Sequence, residues 1–340
     1  MSVFYKKLND NDYNYQIKYI SEGEGKMNKK VAAIMAALLV VIVGVFSIGM
    51  KKEKAPEVAE STKVTVTDAN GEQVELNKNP QRVVVFDHGV ADILHNMDVE
   101  IVGLAKGKKL PEVISYYDDE KYANVGSLKE PDFEAIKALN PDLIIISGRQ
   151  AEMAEDFEEI AQTVNLATDG TKYLASFKSN VESLGKIFDK EDKVSELISG
   201  IEKKVADLNK TITEKKLNAT TVLTSEGNLS VFSGESRFGM IYNELGFANP
   251  DDKIEASTHG QQVSFEYFLE HDAQYIFVVS KDAATGGDAD SSVLDNDIVK
   301  NTSAYKNGKV INLNSEAWYL VSGGIDSTNI MLDEIANAIK

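Results

Sequence analysis

The sequence predicts an α/β protein of two lobes joined by a long helical connector, with one transmembrane helix ahead of them. Three observations carry that expectation. Short apolar runs alternate with amphipathic stretches both before residue 173 and after residue 217, as βαβ units require. Between them, residues 173–216 contain no proline and repeat their apolar residues at helical spacing. Near the N-terminus, the twenty residues 31–50 carry no charge and stand between lysines.

Residues 31–50, taken as a helix, span about 30 Å, the thickness of a bilayer's hydrocarbon core. A cleaved signal peptide has a shorter apolar run and a small-x-small site; here the run is longer and no A-x-A follows it. Six lysines within residues 1–30 favour an N-terminus inside the cell. The expectation is a short cytoplasmic segment (1–30), an uncleaved single-pass anchor in the cell membrane (31–50) and a polar tether (51–62), with the rest extracellular. Translation from Met1 and from Met27 both fit this reading.

The first lobe is expected over residues 63–172. VVVFD (83–87) reads as a buried parallel strand, EIVGLA follows an amphipathic stretch, and FEAIKALN is a helix stopped near Asn140-Pro141 before the strand LIII (143–146). The connector, 173–217, is one long helix or two broken near Asp189. The second lobe, 218–340, resumes the alternation with TTVLTS, LSVFS, YIFVVS and VINL, and closes on a helix from Ser327 to Lys340. An internal echo supports the pairing of lobes. Phe133-Glu134 and Phe265-Glu266 each open a seventeen-residue unit that ends on a cation just beyond an apolar strand, Arg149 in one and Lys281 in the other. Only three of the seventeen positions are identical. Ligands of α/β sheets bind outside the carboxyl ends of strands, so the echo would bring one cation from each lobe to the cleft.

Composition narrows the chemistry. With 43% hydrophobic and 26% charged residues the chain can bury a substantial core. It has no cysteine, which excludes disulfides, thiolate metal sites, cysteine nucleophiles and cysteine-linked lipid. The net charge is −18; residues 1–54 hold nine lysines and five acids, so residues 55–340 carry −22. Such a domain is not a general nucleic-acid binder. Against that background Arg149, Arg237 (in VFSGESRFGM) and Lys281 stand out as strand-end cations suited to anionic oxygen ligands. Of the four histidines, His95 and His271 read as structural or solvated. His88 follows a strand and could face the cleft, and His259 lies in the polar loop ASTHGQQVS with no apolar face to bury in. Trp318-Tyr319, between VINL and the turn SGG, has two readings: the pair closes the core, or the Tyr319 phenolate ligates a hard ferric ion with His259 as a second ligand. There is no HExxH, no GxSxG elbow, no P-loop and no marked carboxylate pair, so no enzyme class finds support.

VGSLKEPDFEAIKALNPDLIIISGRQ, FDKEDKV, SGESRFG, STHGQQVSFEY and WYLVSGG resemble the extracellular ferric siderophore-binding components of ABC importers, in particular the petrobactin-type catecholate binders. The similarity runs from about Val64 to the C-terminus. It implies a class III substrate-binding fold: two Rossmann-like α/β lobes joined by a long backbone helix. It also implies that Arg149, Arg237 and Lys281 surround an anionic ferric catecholate, although relatives commonly carry arginine where this chain has Lys281. His259 and Tyr319 would complete iron coordination when the siderophore offers four donors. Glu134 and Glu266 would dock on arginines of the permease, which works with a cytoplasmic ATPase. The resemblance implies a monomer with no intrinsic cofactor and the ferric siderophore as transported ligand. Gram-positive relatives are usually anchored by lipid on a cysteine; this chain has none, and the helix at 31–50 would take over. Two alternatives remain at this point. A haem- or corrinoid-binding protein on the same fold would want an apolar pocket with one axial ligand. An extracellular hydrolase would need a nucleophile–base pair or a three-ligand metal set.

Overall fold

The computed structural model describes residues 62–287 and 293–340, and in it the aliphatic runs of the sequence become strands. The expected cytoplasmic segment, the transmembrane helix and the tether up to residue 61 lie outside the described residues. Among the described residues no helix is long and apolar enough to cross a membrane. A hairpin comes first, β1 (Lys63–Thr67) antiparallel to β2 (Gln73–Asn77). β3 (Val83–Val85), β4 (Gly103–Leu104), β5 (Ala123–Asn124), β6 (Leu143–Ile146) and β7 (Gln162–Asn165) then form an all-parallel sheet in the order β5-β4-β3-β6-β7. β3 and β6 are buried along their whole length, which is why they read as unbroken apolar runs rather than alternating ones. Chain order reverses between β3 and β6, and the carboxyl ends of these two strands open a crevice.

The second sheet runs β10-β9-β8-β11-β12, from β8 (Ala219–Ser225), β9 (Asn228–Phe232), β10 (Gln261–Val263), β11 (Tyr275–Ser280) and β12 (Val310–Asn312). Here the expected strand–helix alternation is corrected. β8 turns straight into β9 through Glu226-Gly227, whose φ values of 49° and 77° are those of a two-residue hairpin turn. No crossover helix fits so short a connection, so β9 is antiparallel to β8, whereas β11 is parallel to both β8 and β12.

The connector is two helices, Tyr173–Ile187 and Glu191–Glu214. Asp189, at φ 51°, sits in the left-handed region and ends the helical path between them. Its carboxylate is held by the side chains of Lys78 and Asn79. The longer helix buries Val194, Ile198, Ile201, Val205, Leu208 and Ile212, a stripe at the spacing that one helix face dictates. It packs on the shorter helix and on the closing helix, which runs Ile325–Ala338 and in turn packs on His88–Asn96, the helix after β3. One buried apolar cluster therefore draws on both sheets and the connector, from Val83 and Leu143 through Phe177 and Ile198 to Phe277 and Leu332.

Candidate ligand-binding site

The crevice between β3 and β6 is furnished by the residues that leave those strands. Asp87 follows β3 and caps the helix His88–Asn96, its Oδ1 accepting the Val90 N–H at 2.9 Å. After β6 the chain enters a short 3₁₀ turn, Gly148–Met153. The buried Gln150 fixes this turn by accepting from the Ser147 N–H at 3.1 Å and the Ser147 hydroxyl at 3.0 Å. Arg149 is thereby turned outward and exposed. A cavity of about 610 Å³ lies against these ends, walled further by residues 167–171, 235–237, 256–258 and 318–320. That volume suits a small-molecule ligand.

Arg237 reaches the cavity from the loop after β9, where the Ser236 hydroxyl donates to the Ser233 carbonyl at 2.7 Å. A Cβ on Gly170 would come within 2.6 Å of the Arg237 Cα, so glycine is what lets these two loops touch backbone to backbone. The Arg237 guanidinium lies 4.3 Å from the centroid of the Tyr319 ring, a cation–π geometry. Tyr319 ends the helix Ser315–Tyr319, which Asn314 caps through the Ala317 N–H at 2.9 Å. The buried Trp318 donates its indole N–H to Glu334 at 2.9 Å, and this fixes the helix's rotation. Arg149 comes from the other side, its Nη2 donating to the Tyr319 carbonyl at 3.5 Å. Guanidinium groups from the two sheets thus meet at one tyrosine.

Beneath the wall, burial pushes the Asp87 carboxyl up, opposed by the Val90 hydrogen bond and the charge of Arg149. Burial also pulls His88 down to about 4; the Ala105 carbonyl bond opposes this, and the Arg149 charge adds to it. His88 is only 4% exposed, and its Nε2 donates to the Ala105 carbonyl at 2.9 Å. The expectation that His88 could face the cleft is corrected: Asp87 holds that position, because a helix starting at residue 88 turns the imidazole inward.

Of the cations singled out in the sequence, the wall takes Arg149 and Arg237, together with Tyr319, and not Lys281. Lys281 is half-buried at the start of the helix Lys281–Ala284, which packs on the helix that carries Tyr319. The two cations leave the sheet at different ends, whereas the helix Ser315–Tyr319, starting beside Ser280 after β12, comes back to Arg237. β9 is antiparallel to its neighbours, so the chain leaves it toward Arg237 at the end of the sheet opposite to that where β11 delivers Lys281. His259 is exposed in the loop before β10, next to wall residues Ser257 and Thr258 but not itself on the wall. Glu134 and Glu266 are both exposed and away from the cavity, each near the start of a short helix. Glu134 forms only a loose pair with Lys137 at 3.8 Å. His95 is exposed and stacks on Tyr116, and His271 lies 3.7 Å from Asp251.

The cavity also holds acids that the sequence reading passed over: Asp87, Asp169 and Glu235. The signal was present in their positions. Glu235 lies two residues before Arg237, and Asp169 is next to the Gly170 that touches it. In a chain with 54 acidic residues, adjacency in sequence alone does not distinguish them.

Residues 83–317 match the family model of periplasmic binding proteins. The petrobactin-binding protein YclQ of Bacillus subtilis is 41% identical over 320 residues, covering 92% of this chain and 99% of its own length. Its crystal structure superimposes with a TM-score of 0.79 over 82% of this chain and 99% of that one, at 42% identity. The catecholate-siderophore-binding protein VctP of Vibrio cholerae matches with a TM-score of 0.77 at 32% identity, over 81% of this chain and all (100%) of that one. The ferric-anguibactin-binding protein FatB of Vibrio anguillarum is 30% identical over 82% of this chain and 91% of its own. With the parallel-sheet crevice and the two-sided cavity on its wall, the chain belongs to the periplasmic binding protein family, whose members bind substrates rather than transform them.

Proposed function

We propose that this protein is the substrate-binding component of an ABC importer that captures a ferric catecholate siderophore of the petrobactin type and delivers it to the permease. One observation carries the reading: guanidinium groups from the two sheets converge on Tyr319 at the wall of a 610 Å³ cavity. Guanidinium forks match anionic catecholate oxygens and stack on aromatic faces, so Arg149 and Arg237 would hold the chelate's charge. Tyr319 would offer its phenol oxygen to iron, and His259, beside wall residues 257 and 258, would be the second protein donor for a four-donor siderophore. Lys281, off the wall, would act through longer-range charge. The names of the similar proteins YclQ and VctP point to the same ligand class. Glu134 and Glu266, exposed at separate helix starts, would dock on the permease, which its ATPase drives from the cytoplasm. The protein would act as a monomer, held at the outer face of the cell membrane by residues 31–50.

Trp318, the chain's single tryptophan, lines the cavity and provides the test. Fluorescence titration of the full chain with ferric bis-catecholate, ferric hydroxamate and haem should show tight quenching by the catecholate alone, weakened in Arg149→Ala and Arg237→Ala. Quenching by haem or hydroxamate instead would overturn the ligand assignment.

A further inference from the structure

We infer that Tyr173 is a positioning residue for the ligand site: from the start of the connector its hydroxyl holds the turn Ser322-Gly323-Gly324, and the turn sets where Tyr319 presents its phenol oxygen to iron. The inference rests on the reading of Tyr319 as an iron donor and names what fixes that donor in place.

Tyr319 ends a helix of five residues, too short to fix a side chain by its own hydrogen bonds. The turn three residues on is closed in from outside the second lobe. A Cβ on Gly89, in the helix after β3, would come within 2.7 Å of the Ser322 carbonyl oxygen. A Cβ on Gly323 would come within 2.2 Å of Thr168 Oγ1, and Thr168 and Ser322 both stand on the cavity wall with Tyr319. Gly323 also has φ 97°, which glycine alone adopts readily. Its N–H is buried, and it donates to the Tyr173 hydroxyl at 3.0 Å.

The direction of every proton in this cluster follows from its partners. Thr328 gives its one hydroxyl proton to the Gly324 carbonyl at 2.5 Å. Tyr173 and Thr328 are 2.6 Å apart, oxygen to oxygen, so Tyr173 donates there and keeps its lone pairs for Gly323. The chain runs from Gly323 N–H through Tyr173 and Thr328 to the Gly324 carbonyl, beginning and ending in the turn. Tyr173 is 1% exposed, so no solvent competes for these bonds, and links that point one way strengthen one another. Without the Tyr173 oxygen the buried Gly323 N–H loses its acceptor.

This support matters because the other contacts of Tyr319 are not fixed. Arg149 touches its carbonyl at 3.5 Å and Arg237 lies over its ring, and a bound chelate draws both guanidinium groups to itself. Two anchors then hold the tyrosine: the Trp318–Glu334 bond just before it and the Tyr173 bond just after it.

Tyr173→Phe removes one oxygen and leaves the ring. A tetradentate ferric bis-catecholate and a hexadentate ferric tris-catecholate are titrated into the full chain, read by Trp318 quenching and by visible absorbance. The tetradentate complex should weaken about three- to tenfold, and its charge-transfer band should move in the direction in which Tyr319→Phe moves it. The hexadentate complex should stay within about twofold of wild type. Thr328→Val, which takes the acceptor from Tyr173, should move the band the same way and serves if Tyr173→Phe does not fold. Phe177→Leu, buried four residues along the same helix, has no hydrogen bond to the turn; it should lower the melting midpoint and leave the band in place. A wild-type band in the Tyr173 or Thr328 variant, an equal loss of both complexes, or the same shift in Phe177→Leu overturns this inference; if Tyr319→Phe still moves the band, the reading of Tyr319 stands. An unmoved band in Tyr319→Phe overturns both.

Discussion

Asp92 and Ser327 are 235 residues apart and joined by a hydrogen bond, with Asp92 Oδ2 accepting the Ser327 backbone N–H at 3.0 Å. The bond ties the helix after β3 to the first turn of the helix that ends the chain. Asp92 Oδ1 also accepts from the Asp326 N–H at 3.3 Å and from the Asn96 amide at 3.0 Å. A fully buried carboxylate thus meets the N–H groups at the start of a helix, where negative charge is favoured.

Burial is the larger effect on Asp92 and pushes its carboxyl up to about 7, against the backbone hydrogen bonds that pull it down. The folded state therefore holds this proton more tightly than the unfolded chain. Stability from this group is complete below about pH 4 and is lost as pH rises through about 7. Asp92→Asn removes that dependence. Between pH 5 and 8 its thermal midpoint should fall less with rising pH than that of wild type, as read by circular dichroism. Parallel curves for the two proteins would reject the assignment.

Gly324 packs its Cα against the same carboxylate, and a Cβ there would lie 2.1 Å from Asp92 Oδ2. Because Asp92 is buried and held on both oxygens, neither side can yield. Gly324→Ala should cost about 3 kcal/mol in urea unfolding. A change below about 0.5 kcal/mol would show that the segment relaxes freely.

Arg237→Lys separates charge from shape. Lysine keeps the charge but loses the flat group that lies over Tyr319. Affinity for ferric bis-catecholate should drop about tenfold, and about a hundredfold for Arg237→Ala. Wild-type affinity in the lysine variant would mean that charge alone matters.

Tyr319→Phe keeps the ring under Arg237 and removes only the phenol oxygen. A hexadentate ferric complex should bind as before. A tetradentate one should show a shifted charge-transfer band, as iron loses the tyrosinate donor but keeps its catecholates, and should weaken about tenfold. Loss for both complexes would assign Tyr319 to packing rather than to iron.

Glu134→Ala combined with Glu266→Ala should leave Trp318 quenching by the chelate intact while abolishing iron uptake in cells that depend on this protein. Normal uptake would move permease docking to other residues.

How much could be read in advance depended on how local each signal was. β6 and β11 have the bounds that LIII and YIFVVS suggested, because an apolar run between polar ends decides a buried strand by itself. The break at Asp189 and the stop at Asn140-Pro141, where Asn140 has φ 46°, were legible for the same reason: backbone conformation there follows from one or two residues. The place of Arg149 on the cavity wall was legible because it lies three residues beyond the end of β6. The inward turn of His88 was not legible, since whether residue 87 or 88 faces the crevice depends on where the helix begins.

The α/β class, a helical connector with its weak point near Asp189, and the placing of Arg149 just beyond an apolar strand were all legible in the sequence, because periodicity, turn chemistry and side-chain type act over a few residues. Only the tertiary structure decided which cations share a wall. The Glu226-Gly227 hairpin reverses β9, so Arg237 and Lys281, both beyond strands, leave opposite ends of the sheet. Arg149 and Arg237 meet at Tyr319 because the chain order of the first sheet opens a crevice and a short capped helix carries the tyrosine into it. Convergence of this kind depends on strand order and direction, which are set by packing across hundreds of residues and leave no mark on any one segment.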